Sequence, residues 1–176
     1  HVYKPCRCAA AFDPGFFELH ILPVLFEQPF SQVDKVKRIQ LEDAMRGLDE
    51  LAVYYDRGGL AQDAEPAQLD YRRIDVHRNT GVFHPKMILL LLDELQEELD
   101  ADEAGVDETN QTLVIGIASA NLTRSGYWEN VECAHFEEIS DWDADDRRCS
   151  FRSDLLSAIR NIRDAAAEGE DHAALD

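Results

Sequence analysis

Two apolar runs constrain the fold of this chain more than any other feature. Residues 87–92 read MILLLL and residues 112–118 read TLVIGIA. Runs that are apolar at consecutive positions are typical of central strands whose two faces are both covered. Both are far shorter than the roughly 20 apolar residues that span a bilayer. We therefore expect an α/β fold, a layered sheet covered by helices on both faces, and no membrane partner.

Weaker patterns predict the other elements. An Asp-Pro turn at residues 13–14 precedes a short helix that ends near Pro23, and residues 34–48 have the apolar spacing of a longer helix. Residues 147–169 place Phe151 and three aliphatic side chains on one helical face. Further strands are predicted at residues 51–59, 69–78 and 129–139. The strands with the two apolar runs are joined by a single loop, so we expect them to be neighbours.

The length of 176 residues suits one domain, and we predict a single globular unit over residues 1–176. The sequence begins HVYKPCRC, with neither an initiator Met nor a signal-peptide pattern, so we expect it to be a piece of a longer protein. Residues 93–110 are predicted to form an acidic solvated loop, and residues 166–176 a frayed tail.

The formal charge of −19 is concentrated in three segments. Residues 93–108, 137–146 and 164–176 contain 20 of the 36 acidic residues and no Lys or Arg. The rest of the chain has 16 acidic residues against 17 basic ones. Because phosphate groups are bound by Lys and Arg, this nearly neutral body does not exclude a nucleic-acid partner.

The cysteines Cys6, Cys8, Cys133 and Cys149 form no CxxC pair. A zinc site made of the first three and His135 is the alternative, but structural zinc sites normally have two closely spaced ligand pairs. The spacing favours reduced thiols in a cytoplasmic protein, without a metal or other cofactor.

The sequence HPK at residues 84–86 combines a nucleophile with a cation. In an extended chain His84 and Lys86 point to the same face, about 7 Å apart along the backbone, and can meet one phosphate. Pro85 cannot donate a ladder hydrogen bond, so the strand is expected to begin or bulge here, at the end of a sheet. Taken alone, HxK is more often a surface histidine beside a solvated lysine.

The sequence SAN at residues 119–121 follows the second apolar run. Small residues before it let a ligand approach the backbone, and Asn121 has an amide donor suited to a phosphate oxygen. Ser119 lies two residues earlier and can add a hydroxyl donor from the same face. The alternative interpretation is a strand end capped by an Asx turn.

Together, HPKMILLL, SANLTRSG, Trp128 and ENVE resemble the phospholipase D superfamily, whose half-site is HxK with a downstream Asn. The resemblance covers residues 82–132 and implies a phospholipase D-like half-domain. It is similar in detail to the nucleases and tyrosyl-DNA phosphodiesterases of that superfamily. Its lipases have an Asp five residues after the Lys, where this chain has Leu91.

The resemblance also implies roles for individual residues. His84 would attack phosphorus and form a phosphohistidine, while Lys86 and Asn121 would bind the non-bridging oxygens. Glu132 matches the glutamate that orients the histidine, and Glu129 is the competitor for that role. No metal is required by this mechanism.

The mechanism needs a second histidine as general acid, and the sequence contains no second HxK motif. His20, His77 and His135 lie outside such a motif and are expected to be structural or surface histidines. We therefore predict a phosphodiesterase, a nuclease or DNA-end-processing enzyme, completed by a homodimer partner or by a second half of the same polypeptide. The alternatives are a phospholipase-type or small phosphodiester hydrolase and a non-catalytic interaction module.

Overall fold

The computed structural model describes residues 3–26, 28–61, 64–94, 110–140, 151–166 and 172–175. One sheet runs through this part of the chain, and its strands are β1 Tyr3–Ala9, β2 Ala52–Asp56, β3 Arg72–Val76, β4 Met87–Glu94, β5 Asn110–Ala118 and β6 Ala134–Ser140. The order is β3-β2-β1-β4-β5-β6. β1, β2 and β3 are parallel to one another, whereas β4 is antiparallel to both β1 and β5, and β5 to β6.

The helical elements of the described chain are short or of medium length. They are α1 Pro14–Phe16, a first π-helix Phe17–Ile21, a 3-10 helix Leu22–Leu25, α2 Asp34–Met45, a second π-helix Ser125–Glu129, α3 Arg152–Ala165 and a 3-10 helix Ala173–Leu175. Asp13 caps α1 by accepting a hydrogen bond from Phe16 N at 3.1 Å. No helix in the described residues is long and apolar enough to cross a membrane.

The two faces of the sheet are packed separately. On the front face, which we define by Ala9 and Val53, the buried cluster includes Phe12, Phe17 and Leu41. The back face is defined by Cys8, Tyr54 and Met87 and packs against Ile162 of α3. Helices on both faces of a sheet with parallel and antiparallel strands confirm the predicted α/β class.

The predicted adjacency of the two apolar strands is confirmed, because β4 and β5 pair from Met87 with Ile117 to Glu94 with Asn110. The central strand β1 was not predicted. Lys4 and Arg7 interrupt its apolar pattern, and Pro5 is unusual in a central strand. Pairing with β2 on one side and β4 on the other stabilises it instead.

Two predicted segments lie wholly or partly outside the described residues. Of the acidic loop at residues 93–110, residues 95–109 are not described. Of the tail at residues 166–176, residues 167–171 and 176 are not described, while His172 Nδ1 lies 2.9 Å from the Tyr54 hydroxyl and joins the tail to the back face.

Candidate phosphate site

Three strand ends meet at one edge of the sheet. Because β4 runs antiparallel to β1 and β5, its beginning lies beside the ends of both neighbours. The ladder continues one step beyond β4, since Ala118 N donates to the carbonyl oxygen of Lys86 at 3.0 Å. This edge therefore holds the HPK sequence of residues 84–86 next to the SAN sequence of residues 119–121.

His84 and Lys86 are in direct contact. Lys86 Nζ lies 3.0 Å from both ring nitrogens of His84. An ammonium group can only donate, so it can form a hydrogen bond with the one ring nitrogen that carries no proton in a neutral imidazole. An unprotonated ring nitrogen has the lone pair needed to act as a nucleophile.

The segment around His84 has two distinct sides. Phe83, Pro85 and Met87 line a cavity of about 640 Å³ on the back of the sheet, beside α3. Since extended residues alternate between faces, His84 and Lys86 point to the front. His84 is exposed there and Lys86 is half-buried.

The Asn121 side chain is held in a fixed orientation. Its Oδ1 accepts a hydrogen bond from Ala11 N at 3.1 Å, which requires the amide oxygen at that position. Leu122 N donates to Ala11 O at 3.1 Å, and Asp13 N donates to Leu122 O at 2.9 Å. These bonds tie the turn to the segment after β1 and leave the Asn121 NH2 group to donate elsewhere.

Glu132 lies beside the site through Ser119. The Ser119 hydroxyl donates to Glu132 Oε2, and it accepts from Cys133 N at 2.9 Å. The sequence placed Ser119 as a phosphate donor alongside Asn121, whereas its proton is directed at Glu132. The competitor Glu129 pairs with Arg124 at 3.3 Å, away from this network.

Two opposing effects act on the pKa of Lys86. Burial lowers the pKa of its ammonium group, and the nearby Glu132 carboxylate opposes that shift. The Glu132 carboxylate therefore offsets only part of the pKa shift that burial causes.

An aromatic cluster made of Phe16, His20, Tyr127 and Trp128 packs beside the Asn121 turn. Trp128 contacts Phe16 at 4.9 Å and His20 at 4.5 Å between ring centroids. The Arg124 guanidinium lies 5.2 Å from the centre of the Trp128 ring. Trp128 is 53% exposed. An exposed indole with a cation above it can stack a planar group.

The cysteines do not form the alternative zinc site in this arrangement. Cys6 and Cys8 are buried on the back face, whereas Cys133 is exposed and His135 bonds to Glu137 at 2.7 Å. No group of three or more His, Cys, Asp or Glu side chains that could hold a metal ion occurs among the described residues.

Sequence analysis missed one further residue pair, Arg7 and Tyr127. Arg7 of β1 lies across from Ile88, and its NH1 group is 3.4 Å from the Tyr127 hydroxyl. These two residues are 120 positions apart, so only the position of β1 in the sheet brings them together. The available sequence signal was a charged residue, Arg7, between the apolar Cys6 and Cys8.

No protein-family model and no curated protein matches this sequence. Among solved structures, the chain is similar to NucT from Helicobacter pylori, with a TM-score of 0.43 and 11% identity over 93% of this chain and 80% of that one. It is also similar to the yeast tyrosyl-DNA phosphodiesterase, with a TM-score of 0.44 and 12% identity over 97% of this chain and 36% of that one.

Proposed function

We propose that this chain carries one half-site of a phospholipase D-type phosphodiesterase. The observation that carries the proposal is the Lys86 Nζ to His84 contact of 3.0 Å, at the same sheet edge as an Asn121 amide whose oxygen is already bonded to Ala11. In this proposal a nucleophile, a cation and a neutral donor surround the space in which one phosphate binds.

The chemistry follows from these side chains. The substrate phosphate would replace His84 as the hydrogen-bond partner of the Lys86 ammonium group. The His84 ring nitrogen would then be free to attack phosphorus. The nitrogen–phosphorus bond forms as the bond to the leaving oxygen breaks. Lys86 and the Asn121 NH2 group stabilise the charge on the non-bridging oxygens. Water then attacks the phosphohistidine and restores His84.

A second half-site supplies the proton for the leaving oxygen. His84 cannot serve as nucleophile and general acid in the same displacement, because its attacking nitrogen carries no proton. We propose that the acid comes from a symmetric partner chain or from another part of the same polypeptide. We also propose that residues 1–176 form a single phospholipase D-like domain.

We propose nucleic acid as the substrate class, in a nuclease or DNA-end-processing reaction. The exposed Trp128 with Arg124 above it offers a stacking surface for a base next to the phosphate site. Leu91, where lipases of the superfamily have an aspartate, lies within β4 and pairs with Leu113. The aromatic surface therefore favours nucleic acid over a lipid headgroup.

The test is hydrolysis of bis(4-nitrophenyl) phosphate, with excess EDTA present, by the chain in an assembly that provides both half-sites. We expect activity to persist, because Lys86 and Asn121 supply the charge and donors that metal ions supply in other phosphodiesterases. His84→Asn should abolish it, while His77→Asn, which changes an exposed histidine of the back-face cavity, should leave it unchanged. Loss of activity with EDTA and recovery with magnesium or zinc would show that the metal-free mechanism is wrong.

A further inference from the structure

Arg7 is a buried cation with little to neutralise it. The residue is 6% exposed and lies in the middle of the central strand β1. Its Nε has no hydrogen-bond partner among the described residues, and no carboxylate of those residues forms an ion pair with it. Burial lowers the pKa of the guanidinium, with the Tyr127 hydroxyl opposing the shift. Such a group is costly for the fold unless an anion compensates it.

The position of Arg7 directs it towards the phosphate site. By strand alternation it shares the front face with Val53, its partner in β2, and with Ile88, its partner in β4. Lys86 is two residues before Ile88 on the same face, so its Cα is roughly 7 Å from that of Arg7.

Tyr127 connects this cation to the Asn121 turn. Its hydroxyl lies 3.4 Å from Arg7 NH1, a long hydrogen bond in which the guanidinium donates. The preceding Gly126 is packed so closely that a Cβ on it would lie 2.5 Å from Asn121 O. The tyrosine side chain therefore extends from beside Asn121 to above β1.

We propose that the Tyr127 hydroxyl is a further phosphate ligand of the half-site and that Arg7 is its positioning residue; this inference rests on the proposed phosphate site. By donating to the Tyr127 oxygen, Arg7 leaves the hydroxyl proton free to point at a phosphate oxygen and makes it a stronger donor. The bound phosphate in turn compensates the buried guanidinium. The buried charge is thus a feature of the binding site rather than of the fold.

The test is to titrate the 176-residue chain with inorganic phosphate and to measure the binding by calorimetry. Tyr127→Phe should weaken binding roughly tenfold, the effect of losing one hydrogen bond to a charged group. Arg7→Met should weaken it by a similar factor and leave the melting temperature of the unliganded protein unchanged or higher, because a desolvated charge is removed. Arg7→Lys, which keeps the charge, should recover part of the affinity.

Arg73→Met is the matched control. Arg73 also contacts a tyrosine, at 5.0 Å from the Tyr71 ring centre, but lies on β3, three strand spacings or roughly 14 Å from β4. It should bind phosphate like the wild type. If Lys86→Met loses binding while the Arg7 and Tyr127 variants do not, the inference is wrong and the half-site stands. If the wild type itself binds no phosphate, both the inference and the half-site are wrong.

Discussion

Lys86 is the residue on which the electrostatics of the site depend. Its ammonium group contacts His84 at 3.0 Å and lies within the influence of Glu132. Burial lowers its pKa, so the cation is lost at a lower pH than that of a solvated lysine. Because the neutral amine cannot hold a phosphate by charge, affinity should fall as the pH rises through this pKa.

Removing the Glu132 charge should therefore move that fall to lower pH. In Glu132→Gln the carboxylate that raises the Lys86 pKa is gone, and burial acts unopposed. Dimethyl phosphate is a suitable ligand because its single charge is constant in this range. Its affinity is measured against pH for the wild type and the variant.

Glu129→Gln is the control for this experiment, because Glu129 pairs with Arg124 on the neighbouring turn. It should leave the pH dependence unchanged. An equal shift in both variants would mean that the net charge of the protein, not the proximity of Glu132 to Lys86, sets the profile.

Part of the site could be predicted from the sequence because its residues are close along the chain. His84 and Lys86 are two positions apart, and strand alternation is enough to bring them together. The Arg7–Tyr127 contact could not be predicted in this way, since it depends on β1 lying next to β4. Nor could the sequence show that Asn121 Oδ1 is bonded to Ala11.

At the scale of elements, the second π-helix, Ser125–Glu129, positions the site. A π-turn widens the helix and is frequent at functional sites. Here it begins four residues after Asn121 and carries both Tyr127 and Trp128. Its approach to the Asn121 turn is possible because residue 126 is a glycine, whose missing Cβ would lie 2.5 Å from Asn121 O.

Gly126→Ala should therefore damage the site and the fold together. The contacted atoms are backbone, which cannot rotate away, so the turn must shift; we expect a loss of about 1–3 kcal/mol in unfolding free energy. Phosphate affinity should fall as well, because the shift moves Asn121. Chemical unfolding and phosphate titration measure the two effects.

Gly47→Ala is the matched control, since among the described residues its added Cβ meets only Ala44 O, at 3.4 Å, an ordinary contact. It should change the unfolding free energy by no more than about 0.5 kcal/mol. It should leave the phosphate affinity unchanged. Wild-type affinity in Gly126→Ala would contradict the role assigned to the turn.

The elements themselves were predictable to different degrees. The strands β4 and β5 have continuous apolar sequences, and α2 has helical spacing, so local patterns identify them. β1 has no such pattern and gains its conformation from its two partners. This is a case in which tertiary pairing overrides local propensity.

At the scale of the whole molecule, the strand β6 leaves an incompletely covered region. It is one of the two edge strands of the described sheet, and Phe136 on its front side is 56% exposed. Val131, just before it, is fully exposed, and Ile117 of β5, on the back face, is 59% exposed. Exposed apolar side chains at a sheet edge are typical of surfaces that associate.

We therefore expect the chain to associate in a concentration-dependent manner. Sedimentation at several concentrations should show a monomer passing to a dimer, and mixing wild-type with His84→Asn chains should give activity that depends on the mixing ratio as mixed pairs form. A monomer at every concentration with full hydrolytic activity would contradict the half-site, because the second histidine would then be unnecessary or already present.

The most direct test of the half-site is to trap the phosphorylated histidine. Nitrophenolate is a good leaving group that needs no general acid, so even one half-site should react with bis(4-nitrophenyl) phosphate. After a brief reaction and an alkaline quench, which preserves phosphohistidine, mass spectrometry of the peptides locates the adduct. We predict a rapid release of at most one nitrophenolate per chain and a nitrophenyl phosphoryl group on His84, both absent in His84→Asn. Unmodified His84 together with continued nitrophenolate release, or an equal release from His84→Asn, would contradict the assignment of His84 as the nucleophile.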